Sequence, residues 1–303
     1  MDVSIIIVNY NTRQLLQDCI RSLYEKTKRC TFEVIVVDNH SLELIEENDF
    51  QEYPQCQVLW MKDNLGFGKA NNEGIKIAKG EFVLFLNSDT LLINDAVSEL
   101  CDYMRKHKKV GVCGGNLYTK EGLPNMSYTM TFPTVSDYFS LLLGLKRRTV
   151  EELFNKDNRA KAIGGYISGA DLMMRREFLE RYGGFDPDFF MYFEDVELCY
   201  RASRYGLEIH SVPSAQIIHL QGGSTLVKGE GMKTRSRAYL LRSEFLYFRK
   251  RSNRMALRLL WLGYWMKTWG ALFIYSCLRR SQRVNYWKTM WSVLRDVRDE
   301  KIV

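Results

Sequence analysis

The feature that most restricts the fold of this 303-residue chain lies at its start. Val3-Ser4-Ile5-Ile6-Ile7-Val8 runs almost without a polar residue and is followed at once by Asn9-Tyr10-Asn11. A β-branched run of this kind has no solvent face to offer, so it reads as a strand covered on both sides. The pattern returns at Val34-Ile35-Val36-Val37, which ends in Asp38-Asn39, and at Phe82–Leu86, which ends in Asn87-Ser88-Asp89. A shorter strand is expected over 58–60. Between the runs the period changes. Leu15, Leu16, Cys19, Ile20, Leu23 and Tyr24 recur at helical spacing behind Thr12, a residue suited to cap a helix. A second helix is expected over about 68–79, stopped by Gly80. Alternating strands and helices at this pitch predict an α/β fold, a mostly parallel sheet with helices on both faces. Such sheets bind ligands beyond the carboxyl ends of their strands, and the polar residues sit at those ends.

Beyond residue 115 the pattern is more mixed. Ile167 to Met174 reads as a strand and Arg176 to Tyr182 as a short helix ended by Gly183-Gly184. Glu194 to Tyr205 reads as a helix ended by Gly206, with short strands around 208–212 and 216–220. With 46% hydrophobic and 26% charged residues, the composition excludes disordered, collagen-like and low-complexity classes. Seven cysteines with no CxxC pair argue against a disulfide framework or a zinc knuckle. The N-terminus has no basic n-region and too short an apolar run for a signal peptide, so a cytoplasmic start is expected.

The net charge of +7 hides a division. Residues 1–227 carry 25 Lys/Arg against 31 Asp/Glu, and residues 228–303 carry 18 against 5, so −6 and +13 make the total. Five of the six tryptophans (Trp261, Trp265, Trp269, Trp287 and Trp291) lie in the basic part.

Seven stretches, in order, resemble the family 2 glycosyltransferases, in particular their rhamnosyltransferase-like bacterial branch. They are VSIIIVNYN at 3–11, VVDN at 36–39, NLGFGKANNEGI at 64–75, LNSDT at 86–90, SGADLMMRR at 168–176, GGFDPDFFMYFEDVELCYRA at 183–202 and IIHLQGGS at 217–224. The resemblance implies a glycosyltransferase A-type, Rossmann-like fold. It also implies a nucleotide diphosphate-sugar donor, a divalent metal (Mn²⁺ or Mg²⁺) and inversion at the anomeric carbon. A catalytic domain over 1–230 is expected, with a nucleotide-binding half to about 115 and an acceptor half over 116–230, followed by a helical region over 231–303.

Sugar transfer requires neutralisation of the leaving diphosphate, removal of a proton from the acceptor hydroxyl and in-line positioning of the nucleotide. By resemblance, Asp89 is the metal-binding acid of a D-x-D-like motif whose first position is here Asn87, a donor contact. His219, otherwise a structural strand residue, is the second metal ligand, and Ser224 is either a diphosphate contact or a simple turn serine. Glu194-Asp195 follows the aromatic run 189–193. A carboxylate there is expected in a partly apolar pocket beside another acid, which raises its pKa and suits it as a general base. The resemblance places the base at Asp195 and leaves Glu194 to orient. Val8, Tyr10, Asp38, Gly66, Lys69 and Asn71, with Asn72, are expected at the nucleotide. Asp171 and Asp186 are expected on the sugar or acceptor side, with structural roles as the alternative. The 64–75 loop is neither a Walker A motif nor G-x-G-x-x-G.

The tail has three readings: an interfacial element at an anionic membrane, a spanning helix over 259–278, and a helix that packs against protein, including a second copy of the chain. Lys267 near the middle counts against spanning, and flanking cations with tryptophans favour the interface. No nucleic-acid partner is expected. The chain thus reads as an inverting hexosyltransferase at the inner face of the cell membrane, acting on a lipid-linked surface glycan. The rival readings are a nucleotidyltransferase of related fold and an inactive membrane scaffold.

Overall fold

The computed structural model describes residues 1–43, 45–142, 144, 152–220, 230–252 and 254–299. The chain forms two compact units. The first comprises the described residues of 1–132, 149–190 and 194–226, and the second those of 133–148, 191–193 and 227–303. Among the described residues, 133–142, 144 and 191–193 thus group with the C-terminal helices.

In the first unit the elements run β1 (Val3–Asn9), α1 (Arg13–Lys26), β2 (Phe32–Asp38), β3 (Cys56–Trp60), α2 (Phe67–Ile75), β4 (Phe82–Leu86), β5 (Thr90–Leu92), α3 (Ala96–Lys106) and β6 (Val110–Tyr118). After β7 (Tyr128–Thr129) come β8 (Lys161–Ala162), β9 (Tyr166–Ile167), β10 (Asp171–Arg175), α5 (Arg176–Tyr182), α6 (Glu194–Arg204) and β11 (Glu208–His219). The main sheet has the order β3-β2-β1-β4-β10-β6-β11-β5, with β8 also on β11. Strands β1, β2, β3 and β4 are mutually parallel, as are β6 and β11. Strand β10 runs antiparallel between β4 and β6.

The core follows from the apolar runs. Val3, Ile5, Ile7, Val34, Val36, Phe82 and Leu84 pack in one cluster with Leu16, Cys19, Ile20 and Leu23. Burying each such aliphatic side chain contributes roughly 1.5–3 kcal/mol. On the opposite face Ile6 meets α2 at Gly74, and Phe85 lies edge-on to Phe185 with centroids 4.7 Å apart.

Three local expectations change. The 167–174 segment is broken by a turn at 168–170 into β9 and β10. Helix α2 ends at Ile75 rather than 79, and the chain turns before Gly80. The two strands expected over 208–220 are one strand, β11, whose register to β6 shifts between Ser211 and Gln216, across Pro213. Proline removes a ladder donor there, and the shift carries the strand past it.

The second unit holds α4 (Val135–Leu142), α7 (Glu230–Arg251), α8 (Arg254–Cys277) and α9 (Ser281–Asp299). Helix α8 buries Leu257, Leu260, Tyr264 and Thr268. It is tied to α9 by the Trp261 indole N–H, which donates to the Leu294 carbonyl at 2.8 Å, and by Trp269 against Trp291. It is tied to α7 by the Tyr264 hydroxyl, which donates to Glu244 Oε1 at 2.7 Å. Among the described residues no helix is long and apolar enough to cross a membrane.

Candidate active site

The parallel register sets Asn9 beside Asp38 at the carboxyl ends of β1 and β2. The Asn9 side-chain amide donates to Asp38 Oδ2 at 2.8 Å, and the Ser41 backbone N–H donates to Asp38 Oδ1 at 3.0 Å. Asp38 is buried, so this carboxylate first builds the loop that follows β2. Each oxygen keeps a further lone pair for a ligand donor. Asn39 joins a second loop to this end. Its Oδ1 accepts from the Leu65 N–H at 2.8 Å and its Nδ2 donates to the Asn64 side chain at 3.0 Å. That loop enters α2 through Gly66, whose φ of 82° and close approach to the Phe190 carbonyl leave no room for a side chain. Lys69, in the first turn of α2, and Tyr10 are exposed, and Val8 is partly so.

A chain of buried groups runs from this end to the next. Thr12 makes no cap bond to α1. Its hydroxyl instead donates to Asn9 Oδ1 at 2.7 Å and lies 2.9 Å from the Ser88 hydroxyl. Asp38, Asn9, Thr12 and Ser88 are thus linked in sequence, and the VNYNTR segment builds this network rather than a phosphate loop.

Ser88 sits between Asn87 and Asp89. His219, at the end of β11, is brought to them by the antiparallel pairing of β11 with β5, which sets it opposite Thr90. His219 Nε2 lies 3.3 Å from Asp89 Oδ1 and 3.3 Å from Asn87 Nδ2. Both contacts are long for a charge-assisted bond, which spans roughly 2.7–2.9 Å. Two cis ligands of one divalent ion, each at about 2.1 Å, stand about 3 Å apart. A carboxylate oxygen and an imidazole nitrogen at this separation therefore fit Mn²⁺ or Mg²⁺ as a partial donor set. Among the described residues there is no group of three such ligands. His219 Nδ1 is buried and has no partner among the described residues.

The acids at the start of α6 lie close by. The Asn87 N–H donates to the Ala170 carbonyl at 3.1 Å, and the adjacent Gly169 N–H donates to Asp195 Oδ2 at 2.9 Å. The Val196 N–H holds Asp195 Oδ1 at 2.8 Å. Burial pushes the Asp195 carboxyl up from its ordinary value, opposed by the Gly169 and Val196 donors. Burial, and then the neighbouring Asp195 charge, push Glu194 well up. Glu194 Oε2 is buried with no partner among the described residues. Of the two acids, Glu194 is buried and pushed up the further, while Asp195 is half-buried and held by two backbone donors.

Other expected contacts belong to the fold. Asp171 has no exposed surface. Its Oδ2 accepts from the Gly115 N–H at 2.6 Å and burial raises its pKa well above the ordinary value, so it joins β10 to β6 instead of meeting a sugar. Asn71 is buried and donates to the Phe67 carbonyl at 3.0 Å. Asn72 exchanges two bonds with the Phe185 backbone, each 2.8 Å. Neither amide is presented to a base, which corrects the nucleotide role expected of them. Asp186 accepts from the Asp188 N–H at 3.1 Å within a turn. Ser224 lies outside the described residues. Conversely Thr12, Asn9, Ser41, Asn39 and Gly169 emerge from the structure as site-builders. Their only sequence signal is the cluster of small polar residues just after buried strands.

The sequence model of glycosyl transferase family 2 matches residues 4–183. Among characterised proteins, the chain is 26% identical over 226 residues to "Rhamnosyltransferase WbbL" of Escherichia coli K12, covering 72% of this chain and 83% of that protein. It is 26% identical over 243 residues to "N-acetylglucosaminyl-diphospho-decaprenol L-rhamnosyltransferase" of Mycobacterium tuberculosis, covering 73% and 76%. Among solved structures, GalNAc-T7 with UDP, GalNAc and Mn²⁺ aligns at a TM-score of 0.57 and 17% identity, over 72% of this chain and 43% of that one. Residues 1–349 of TarS from S. aureus align at 0.54 and 17%, over 99% and 92%. These structural likenesses establish a glycosyltransferase A-type fold.

Proposed function

The chain belongs to glycosyl transferase family 2, and from that premise we propose that it is an inverting hexosyltransferase of surface polysaccharide synthesis. Its proposed donor is a nucleotide diphosphate-sugar, dTDP-rhamnose first. The acceptor is a hydroxyl of a lipid-linked glycan at the inner face of the cell membrane. The names of the rhamnosyltransferase relatives support the donor, and the decaprenol-linked substrate in one of those names supports the acceptor. The +13 tail supports peripheral attachment to an anionic membrane.

The observation that carries the mechanism is the Gly169–Asp195 bond beside the Ala170–Asn87 bond, because it sets a carboxylate next to the donor-binding strand end. Asp195 accepts the proton of the acceptor hydroxyl. The hydroxyl oxygen forms a bond to the anomeric carbon, and the bond from that carbon to the diphosphate oxygen breaks. The nucleoside diphosphate leaves with the electron pair, and attack from the opposite face inverts the configuration. Glu194, holding its proton, keeps a second negative charge away from Asp195 and orients it. Tyr10 stacks on the base, Asp38 receives nucleoside donors, and Lys69, Gly66 and Asn87 meet the phosphates, with Val8 lining the entry. Asp89 and His219 would hold a divalent cation, which supplies charge neutralisation for the departing diphosphate.

Asp195→Asn is expected to lower turnover by roughly 10²–10⁴-fold while nucleotide-sugar binding, read by calorimetry, stays unchanged. Near-normal turnover of the variant would refute the assignment of the base. Because the base must be ionised and burial raises its pKa, activity is lost as pH falls through a value above the usual aspartate range.

A further inference from the structure

Helix α8 has two apolar sides. One, formed by Leu257, Leu260, Tyr264 and Thr268, is buried within the helical unit. At 100° per residue, Met255, Leu259, Leu262, Met266, Trp269 and Phe273 fall on the opposite side, spaced 4, 3, 4, 3 and 4 residues apart. Each of these six is between 43% and 73% exposed. The stripe is roughly 27 Å long at 1.5 Å per residue. A continuous exposed apolar band of this extent marks an interaction surface.

The charges on α8 itself and just past its end are of one sign. Helix α8 contains no acidic residue; its charged residues are Arg254, Arg258 and Lys267, and Arg279 and Arg280 follow its end. Beside its first turns lies a cavity of about 320 Å³ with an apolar floor that includes Phe245, Leu257 and Trp261. Arg249 of α7, Arg258 of α8 and Arg298 of α9 line the same cavity. Two copies meeting stripe to stripe would set these cations against one another. An anionic bilayer offers the complement, with about 1 kcal/mol per cation near the surface and apolar depth for the stripe.

Resting on the membrane attachment proposed above, we propose that α8 lies in the plane of an anionic bilayer on its Met255–Phe273 face, and that Arg249, Arg258 and Arg298 receive a lipid phosphate at the neighbouring cavity. Trp269 and the flanking arginines sit at headgroup level, and the buried side of α8 keeps its packing.

Flotation with phosphatidylcholine vesicles, with and without phosphatidylglycerol, tests this on the full chain. The unmodified protein is expected to float with the phosphatidylglycerol vesicles. Leu259→Ser/Leu262→Ser/Phe273→Ser, made on exposed positions, is expected to lower the bound fraction at least roughly tenfold, since each apolar side chain contributes more than the 1.4 kcal/mol that a tenfold change represents. Its circular dichroism and its turnover on a soluble acceptor should stay unchanged. Arg249→Gln/Arg298→Gln is expected to keep vesicle binding but lose several-fold of the preference for phosphatidylglycerol, and full retention of that preference overturns the phosphate site. If the unmodified protein floats and the triple serine variant floats equally well, the face is wrong while membrane attachment stands. If the unmodified protein floats with neither vesicle, attachment itself fails. A dimer by light scattering that the serine variant converts to monomer, without vesicle binding, assigns the stripe to a second copy and overturns the proposal.

Discussion

A threonine one residue before a helix is ordinarily a cap, and Thr12 spends its hydroxyl elsewhere, on Asn9 and Ser88. It is the link of the Asp38–Asn9–Thr12–Ser88 chain drawn from the turn between β1 and α1, so it ties the carboxyl ends of β1 and β2 to the segment that carries Asp89. Thr12→Val preserves shape and removes both bonds. The expected result is a loss of about 1–2 kcal/mol in stability, from buried groups left unpaired, and a fall of roughly tenfold in kcat/KM carried mainly by the donor KM. Thr12→Ser should restore both, and an unchanged donor KM in the valine variant would reduce Thr12 to packing. Asp89, His219 and Asp195 stood out in the sequence as candidates because chemistry-bearing residues recur at strand and helix ends, and the fold brings Asp89 and His219 within 3.3 Å of each other. Asp171 and Asn71 take fold-building roles because they are fully covered there, and Asn72 because its amide is spent on the Phe185 backbone; burial at a single position has no local signature.

Among elements, the entry of α2 is the most constrained. Gly66 is left-handed, its carbonyl accepts from the Ala70 N–H, and the neighbouring Phe67 N–H donates to Phe190 at 2.9 Å. Gly66→Ala adds about 1–2 kcal/mol of left-handed strain and overlaps the Phe190 carbonyl. The expected outcome is a Tm lower by about 4 °C or more together with weaker nucleotide binding, because Lys69 rides on the displaced turn. Equal thermal stability would contradict the geometry. The strands of the first half were legible because continuous β-branched runs have one reading. The 167–174 segment was not, since the turn at 168–170 that presents Gly169 to Asp195 lies within an otherwise strand-like pattern. Tyr192 and Phe193, both left-handed with φ of 70° and 67°, immediately precede the acids. Nothing in their residue types announces that conformation, which aromatic side chains rarely adopt.

For the molecule as a whole, buried acids set the dependence of stability on pH. Glu244, buried beside Tyr264 with Arg237 and Lys267 near it, has its carboxyl pushed up to about 8 from 4.5, chiefly by burial. Below pH 4.5 it is neutral in folded and unfolded chains alike. As pH rises the unfolded chain releases this proton while the folded chain retains it, so stability falls until about pH 8. Asp171 and Glu194 act in the same direction. Asp2, held down to about 2 chiefly by the Thr31 backbone N–H, acts oppositely and loses its contribution as pH falls from 3.8. Thermal stability is therefore expected to decline from mildly acidic pH toward pH 8. Glu244→Gln should flatten that decline and raise stability at pH 7 by on the order of 3 kcal/mol, and an unaltered profile would contradict a buried, proton-retaining Glu244. The division of charge between an acidic body and a basic tail was plain in the sequence, but the two-sided character of α8 was not, because its cations and its two apolar faces blur any single stripe. The pairing of β11 with β5 has a consequence in time. Thr90 and His219 face each other across a sheet whose remaining strands are joined over shorter separations in sequence. A pairing that closes so long a loop forms late. A chain emerging from synthesis can thus assemble the carboxyl ends of β1, β2 and β4 before His219 reaches Asp89, and the proposed metal-holding pair forms only when the last strand of the sheet is in place.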